Sequence, residues 1–458
     1  MLVLLSDGAG LTARQCATVL ARAGHQVEAL SPAGLCLGRM TRHVRRVHDV
    51  PALGRDPFGW LEAALDVAGR RGADLLLPVQ EQVTVMSLAR DRIEAAGLGT
   101  AVPAFAALAR VQDKVSAYRT LARAGLPQPA ALVAATAAEL EDATPPAFVK
   151  TPIGTASAGV RRAGSRAELR QLAADYERQG VFGQEDVFGH ESGFGQEGVL
   201  VQQPVSGPLA MVQAVFAHGE LVAFHACERV REGAAGGASH KLGLHLPRAR
   251  ERMAALGTTL DWHGALSADM IIGPDGPQFI DVNPRLVEPV NALASGVDLV
   301  RALMEVATPR TSRPQPDGQA GARTHQLLLA VLGAAQRGSR REVARELRDA
   351  ALGRGSYRGS REELTPGRRD PLGPLPVAVT ALTTLIRPGA WRHFTGGSTG
   401  AYSLTPAAWR QIRQAAGGGP GAVTVTPGPP SLPSDIVSRY RWPAELRRLC
   451  PAPSATQS

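Results

Sequence analysis

The segment GALSADMIIGPDGPQFIDVNPR, residues 264–285, constrains this chain more than any other. Two apolar runs flank Gly273-Pro274-Asp275-Gly276, residues that turn a chain back tightly, so the pattern predicts two antiparallel strands. In such a hairpin Asp269 and Asp281 come to the same side, and Asn283 follows two residues on along the same strand face. Three oxygen donors of this kind suit Mg²⁺ or Mn²⁺, with water and nucleotide phosphates completing the shell. Arg285, again two residues on, sets a guanidinium beside that metal, where it can hold a transferring phosphoryl group or a carboxylate. The plain alternative is a surface hairpin with solvated acids and a solvated arginine.

A second feature lies in the basic residues. Of the 50, only Lys114, Lys150 and Lys241 are lysines. A chain that otherwise uses arginine keeps lysine where a compact, mobile ammonium serves better than a planar fork. The overall charge of +9 is uneven: residues 310–458 hold 21 Arg against nine Asp and Glu, a net +12, which leaves −3 for residues 1–309. In that basic region the arginines are interleaved with acids and prolines and with few aromatics, which argues against nucleic acid.

The chain is long enough for about three domains. Residues 1–105 alternate strand and helix: MLVLL, a helix at 11–23 ending at Gly24, HQVEAL, a helix at 53–71 and ADLLLPV, which together imply an open parallel sheet. From 106 to 308 the pattern changes. A short helix at 113–124 precedes AFVKTP, which opens into the loop IGTASAG; a helix at 165–179, the strand VLVQQPV and a hairpin turning at His218-Gly219 follow. Residues 309–322 read as a linker, 323–450 as a basic C-terminal domain opening with a helix at 324–335 and a Ser339-capped helix, and 451–458 as a disordered tail. The four cysteines form no CxxC or CxxH pair, which excludes a zinc module and fits a reducing cytoplasm. The apolar run at Met1 is shorter than a secretory signal core, and no stretch approaches the length of a membrane span.

VQDKVSAYRTLARAGLPQP, AFVKTPIGTASAGV and SADMIIGPDGPQFIDVNPR followed by ASGVDL together resemble the ATP-grasp superfamily, in its carboxylate–amine ligase and biotin-carboxylase-like branch, over residues 1–308. The resemblance implies an α/β, ATP-grasp fold with an N-terminal open parallel-sheet domain (1–105), an ATP-grasp domain (106–308) whose lid spans about 146–207, and here a C-terminal α+β extension. It places Lys114 and Lys150 on ATP phosphates. Gly154, Thr155, Ser157 and Gly159 form the loop that brings backbone N–H groups close to phosphate, and Gln202, Gln203 and Val205 lie beside the base. Asp269, Asp281 and Asn283 become the metal ligands and Arg285 the arginine of the acyl phosphate. Lys241, after Glu228-Arg229, falls at a third lysine of a substrate loop, with Arg229 as a carboxylate clamp; a solvated connector is the alternative for that loop. The sequence departs from the family in the strand VLVQQPV, with Gln202 and Gln203 where a Glu is usual, and at Leu209, where a ribose-binding Glu is common.

The resemblance implies an ADP-forming ligase that joins a small carboxylate to an amine through an acyl phosphate, with ATP and Mg²⁺; homodimers occur among relatives. Two other readings stay open, a bicarbonate-activating enzyme and a nucleotide-binding module without turnover. A third, more distant, comes from SDGAGLTA with Glu28 beyond it, a degenerate dinucleotide fingerprint.

Overall fold

Four strands of the N-terminal region run parallel: β1 (Leu2–Leu5), β2 (Gln26–Ser31), β3 (Arg46–Asp49) and β4 (Leu75–Leu77), in the order β3-β2-β1-β4. The structure is a computed structural model and describes residues 1–32, 34, 36–155, 159–182, 198–308, 312–364 and 370–417. Side chains alternate across a strand, and β1 buries both sets. Val3 and Leu5 pack with Cys16, Ala17 and Leu20 of helix Leu11–Arg22, whereas Leu4 packs with Trp60, Leu61 and Ala64 of helix Pro57–Arg71. The two crossover helices therefore cover opposite faces, and the winding reverses between β1 and β4.

Two expectations here need correction. The second helix begins at Pro57, not at residue 53, because Pro57 takes the first helical position and Asp56 caps it through the Gly59 N–H at 2.8 Å. The strand β3 was not read from the sequence: Arg46 and Asp49 sit on an edge strand, where no apolar alternation is required.

A small antiparallel sheet follows, from β5 (Ala131–Ala134), β6 (Ala147–Lys150), β7 (Val160–Ala163) and β8 (Val199–Gln202), ordered β5-β8-β6-β7. The helices at its edge start where predicted, with Asp113 and Ser165 as caps of Lys114–Arg123 and Arg166–Arg178.

The largest sheet has seven strands: β9 (Leu209–Ala217), β10 (Glu220–Glu232), β11 (Ala238–Leu244), β12 (Gly264–Gly273), β13 (Gly276–Asn283), β14 (Arg323–His325) and β15 (Arg361–Glu362), ordered β13-β12-β9-β10-β11-β14-β15. Its core gathers Phe216, Trp262, Leu266, Met270 and Phe279. The basic region is built onto this sheet. Thr324, expected in a helix, lies in β14, and the helix starts at Leu327; Trp409, 1% exposed, enters the same core from helix Pro406–Gly417. Among the described residues no helix is long and apolar enough to cross a membrane.

Candidate active site

The hairpin of β12 and β13 forms with Asp269 opposite Asp281 and Ser267 opposite Asn283, and β9 on the other side of β12 fixes the register. Burial and the facing carboxylate of Asp281 push the Asp269 carboxyl up to about 6, while Arg229, Lys150 and Arg285 pull the other way. Two carboxylates held face to face repel each other unless a cation lies between them. With Asn283 beside them the donor set is hard and oxygen-only, and fits Mg²⁺. Among the described residues no cluster of three or more His, Cys, Asp or Glu side chains could hold a metal, so an ion here would rest on two acids, one amide and oxygens from outside the chain.

Lys150 ends β6 and crosses to this hairpin. Its ammonium donates to Ile280 O at 2.6 Å and to Gln202 Oε1 at 2.8 Å, and it is buried. Burial lowers its pKa, and Asp281 and Asp269 resist that shift. Its hydrogen-bond partners are neutral, so its charge stays available to an anion in the same space. Lys114, one residue inside its helix, donates to Gly154 O at 3.1 Å and so ties that helix to the β6–β7 loop. In the loop, Thr155 is buried and Gly159 takes a left-handed φ of +83°, which glycine adopts at little cost; Thr151 N donates to Gly159 O at 2.9 Å. Ser157 lies outside the described residues.

The residues expected beside the base behave differently from one another. Gln202 is buried and accepts from Lys150. Gln203 uses its N–H on Ala130 O at 2.8 Å and its side chain on Thr144 O at 3.0 Å, so that N–H serves the sheet. Val205 is half-buried between β8 and β9, and Leu209 opens β9.

Arg285 Nε donates to Glu81 Oε1 at 3.1 Å. Burial disfavours its charge, but Glu81, Tyr402 and Asp281 outweigh this and raise its pKa. Arg229 donates to Gly236 O at 2.8 Å and lies 3.4 Å from Glu232, while its field reaches Asp269. Arg231 points away, to Glu346.

Lys241 lies in a different setting. Its side chain is 1% exposed, and Nζ donates to Glu288 at 2.5 Å and to Glu363 at 2.7 Å. Gln326 donates to both carboxylates, and Glu363 also accepts from Gln15 at 2.9 Å and Thr324 at 2.6 Å. Burial opposes its charge, but the two glutamates raise its pKa well above the ordinary lysine value. The structure therefore brings Lys150, Arg229, Arg285, Asp269 and Asp281 together, and sets Lys241 in a neutralised network. His240 sits beside Ser239 and Ser356, and its burial lowers its pKa to about 3.

Glu28, the acid of the degenerate dinucleotide fingerprint, is bonded by Arg71 at 2.7 and 3.0 Å and by His48 at 2.7 Å, so its carboxylate already has partners. Glu363, Glu81 and Tyr402 were missed from the sequence. Glu81 carried one usable signal, its place just beyond the carboxyl end of a buried strand. Glu363 and Tyr402 carried none.

No family model matches the chain, and no curated protein matches it. Solved structures do. The biotin carboxylase domain of the 2-oxoglutarate carboxylase from Hydrogenobacter thermophilus, in complex with MgADP, ADP and bicarbonate, aligns with a TM-score of 0.54 at 18% identity over 70% of this chain and 73% of that one. Biotin carboxylase from Campylobacter jejuni aligns with 0.54 at 16% over 70% and 74%. N5-carboxyaminoimidazole synthetase from Staphylococcus aureus aligns with 0.53 at 12% over 71% and 82%. With a parallel N-terminal sheet, a small antiparallel sheet, a large antiparallel sheet and an acidic hairpin at the edge of that last one, the chain has the ATP-grasp fold.

Proposed function

We propose that the protein is an ADP-forming ligase that activates a small carboxylate with ATP and joins it to an amine. One observation carries this reading: Asp269 and Asp281 face each other on β12 and β13 with Lys150, Arg229 and Arg285 acting on the same point. Such a group of charges suits phosphoryl transfer, which is mostly positioning and charge neutralisation and requires no nucleophilic side chain. Asp269, Asp281 and Asn283 would hold Mg²⁺. Bound there, the ion would neutralise phosphate oxygens. Lys150 and Lys114 would hold phosphates at the mouth of the β6–β7 loop, Gln202 would orient Lys150, and Arg285 would stabilise charge on the acyl phosphate. Arg229, partly exposed at the rim, would clamp the substrate carboxylate. In the reaction the γ-phosphoryl leaves ADP for a carboxylate oxygen. The amine nitrogen then bonds the acyl carbon, phosphate departs with that oxygen, and the amine gives up a proton.

A bicarbonate-activating enzyme is the second reading, suggested by the bicarbonate anion bound in one aligned structure. Against it, Lys241, a buried cation suited to a small anion, already holds two carboxylates. The test is ADP release from Mg²⁺-ATP with pooled carboxylates and amines, compared between wild type, Asp281→Ala and Lys150→Ala. Turnover confined to wild type and dependent on both pools supports ligation. Release that needs bicarbonate and no amine moves the reading to the second one. Binding of ATP without ADP in any pool overturns both.

A further inference from the structure

A cavity of about 330 Å³ opens between helix Arg340–Ala351, the segment Gly355–Tyr357 and the end of β10. It shares no residue with the group around Asp269 and Asp281, and its volume falls in the range of sites for small ligands.

Local backbone geometry brings its arginines together. β10 carries one extra residue, Val230, between the pairs Arg229–Lys241 and Arg231–His240. A bulge of this kind turns the next side chain to the other face, so Arg231 leaves the side of Arg229 and lines the cavity. Across from it the helix ends at Gly353, whose φ of +57° is left-handed. Gly353 N donates to Ala350 O at 3.2 Å and Arg354 N donates to Asp349 O at 2.8 Å, the two bonds that fold a chain back across the end of its helix. Arg354 therefore returns beside the helix that presents Arg345, and both line the cavity. The buried part of the lining is Glu346 and Tyr357, 7% and 4% exposed. The Tyr357 hydroxyl donates to Glu346 at 2.6 Å, and the Tyr357 ring meets His240 edge-on with centroids 4.7 Å apart.

Charge decides what such a cavity can take. Three acids line it, and each already holds a cation: Glu346 has Arg231, Glu342 has Arg337 at 2.7 Å, and Asp349 has Arg348 at 2.8 Å. Arg345 and Arg354 are left over. Among the described residues neither of these guanidinium groups has an ion-pair or hydrogen-bond partner, and both are exposed. A guanidinium is weakly hydrated and its fork matches two oxygens of a carboxylate or phosphate. Two of them lining one concave site leave two positive charges unbalanced, and a cleft of one sign concentrates ions of the other. A cation gains nothing there, because the acids are taken. We infer that this cavity binds a small dianionic oxyanion, a phosphate monoester or a dicarboxylate, between Arg345 and Arg354.

The test is calorimetric titration of the full chain without nucleotide, with sodium glycerol phosphate, succinate and acetate in turn. Ionic strength is held constant, at about pH 8, where a phosphate monoester carries two charges. Wild type is expected to bind one or both dianions about tenfold or more tighter than acetate. The double variant Arg345→Gln/Arg354→Gln should weaken that binding about tenfold or more, with an unchanged melting curve because both side chains are exposed. Lys150→Met should keep wild-type affinity, which separates this cavity from the proposed phosphate-binding centre. A preference for glycerol phosphate assigns the site to phosphate monoesters, a preference for succinate assigns it to dicarboxylates, and equal affinity assigns it to both. Failure of both dianions to bind, acetate binding as tightly as either, wild-type affinity in the double variant, or binding lost in Lys150→Met each overturns the site.

Discussion

Lys150 and Lys241 are both buried lysines on strands, β6 and β11, and they are opposites in charge balance. Lys150 bonds a carboxamide oxygen and a backbone carbonyl, and burial lowers its pKa. Lys241 bonds two carboxylates, which raise its pKa against the same burial. A buried ammonium with neutral partners has a charge left for an incoming phosphate. One held between two glutamates has none, and instead joins strands: Glu288 follows the β12–β13 hairpin, while Glu363 comes from the C-terminal region just beyond β15. Residue type alone therefore does not separate a lysine with charge to spare from one whose charge is neutralised inside the fold.

The comparison breaks most visibly if Lys241 is replaced. Lys241→Met leaves Glu288 and Glu363 buried without their cation and should cost about 3–5 kcal/mol of stability. Adding Glu363→Gln should return part of that loss. Denaturant titration of the single and double variants reads both, and a loss below about 1 kcal/mol would place Lys241 among the substrate-binding groups.

Lys150→Met should do the reverse. ADP release should fall by about 10²–10³-fold, the usual effect of removing one donor from a developing charge. The melting temperature should fall by less than in Lys241→Met. Equal destabilisation of the two variants would erase the distinction.

The smallest effect sharpens the comparison through pH. Burial lowers the pKa of His225 to about 4; Asn291 raises it, Lys241 lowers it and Glu363 raises it. The folded state keeps this imidazole neutral between about 4 and the ordinary histidine value of 6.5, where the unfolded chain takes up a proton. Stability tied to it is present above pH 6.5 and is lost as pH falls toward 4. His225→Gln, which keeps a partner for Asn291, should reduce the acid sensitivity over that window by roughly 1–2 kcal/mol, measured as the change in stability between its two ends. An unchanged pH profile would show that His225 titrates freely.

Much of the site could be read along the chain because its elements are local. The metal-type hairpin needs only two short runs and a turn, and Asp269, Asp281, Asn283 and Arg285 follow from strand periodicity. Lys150 was legible because a strand and a glycine-rich loop adjoin it. Gln203 was misleading in one respect: its N–H is taken by Ala130, just before the neighbouring strand β5, a pairing that residue order does not reveal. Likewise Thr324 has no strand signal of its own, and extends because β11 offers it an edge.

By itself the sequence determined most of the N-terminal and central elements, their order and the acidic hairpin, since periodicity, capping and turn residues act over a few positions; edge strands such as β3 and β14 escaped it. Only the tertiary structure decided which lysine keeps its charge, that Glu363 and Tyr402 return from the C-terminal region to Lys241 and Gly10, and that Glu81 pairs with Arg285. Those outcomes depend on burial and on the sum of nearby charges, and both come from residues far apart along the chain.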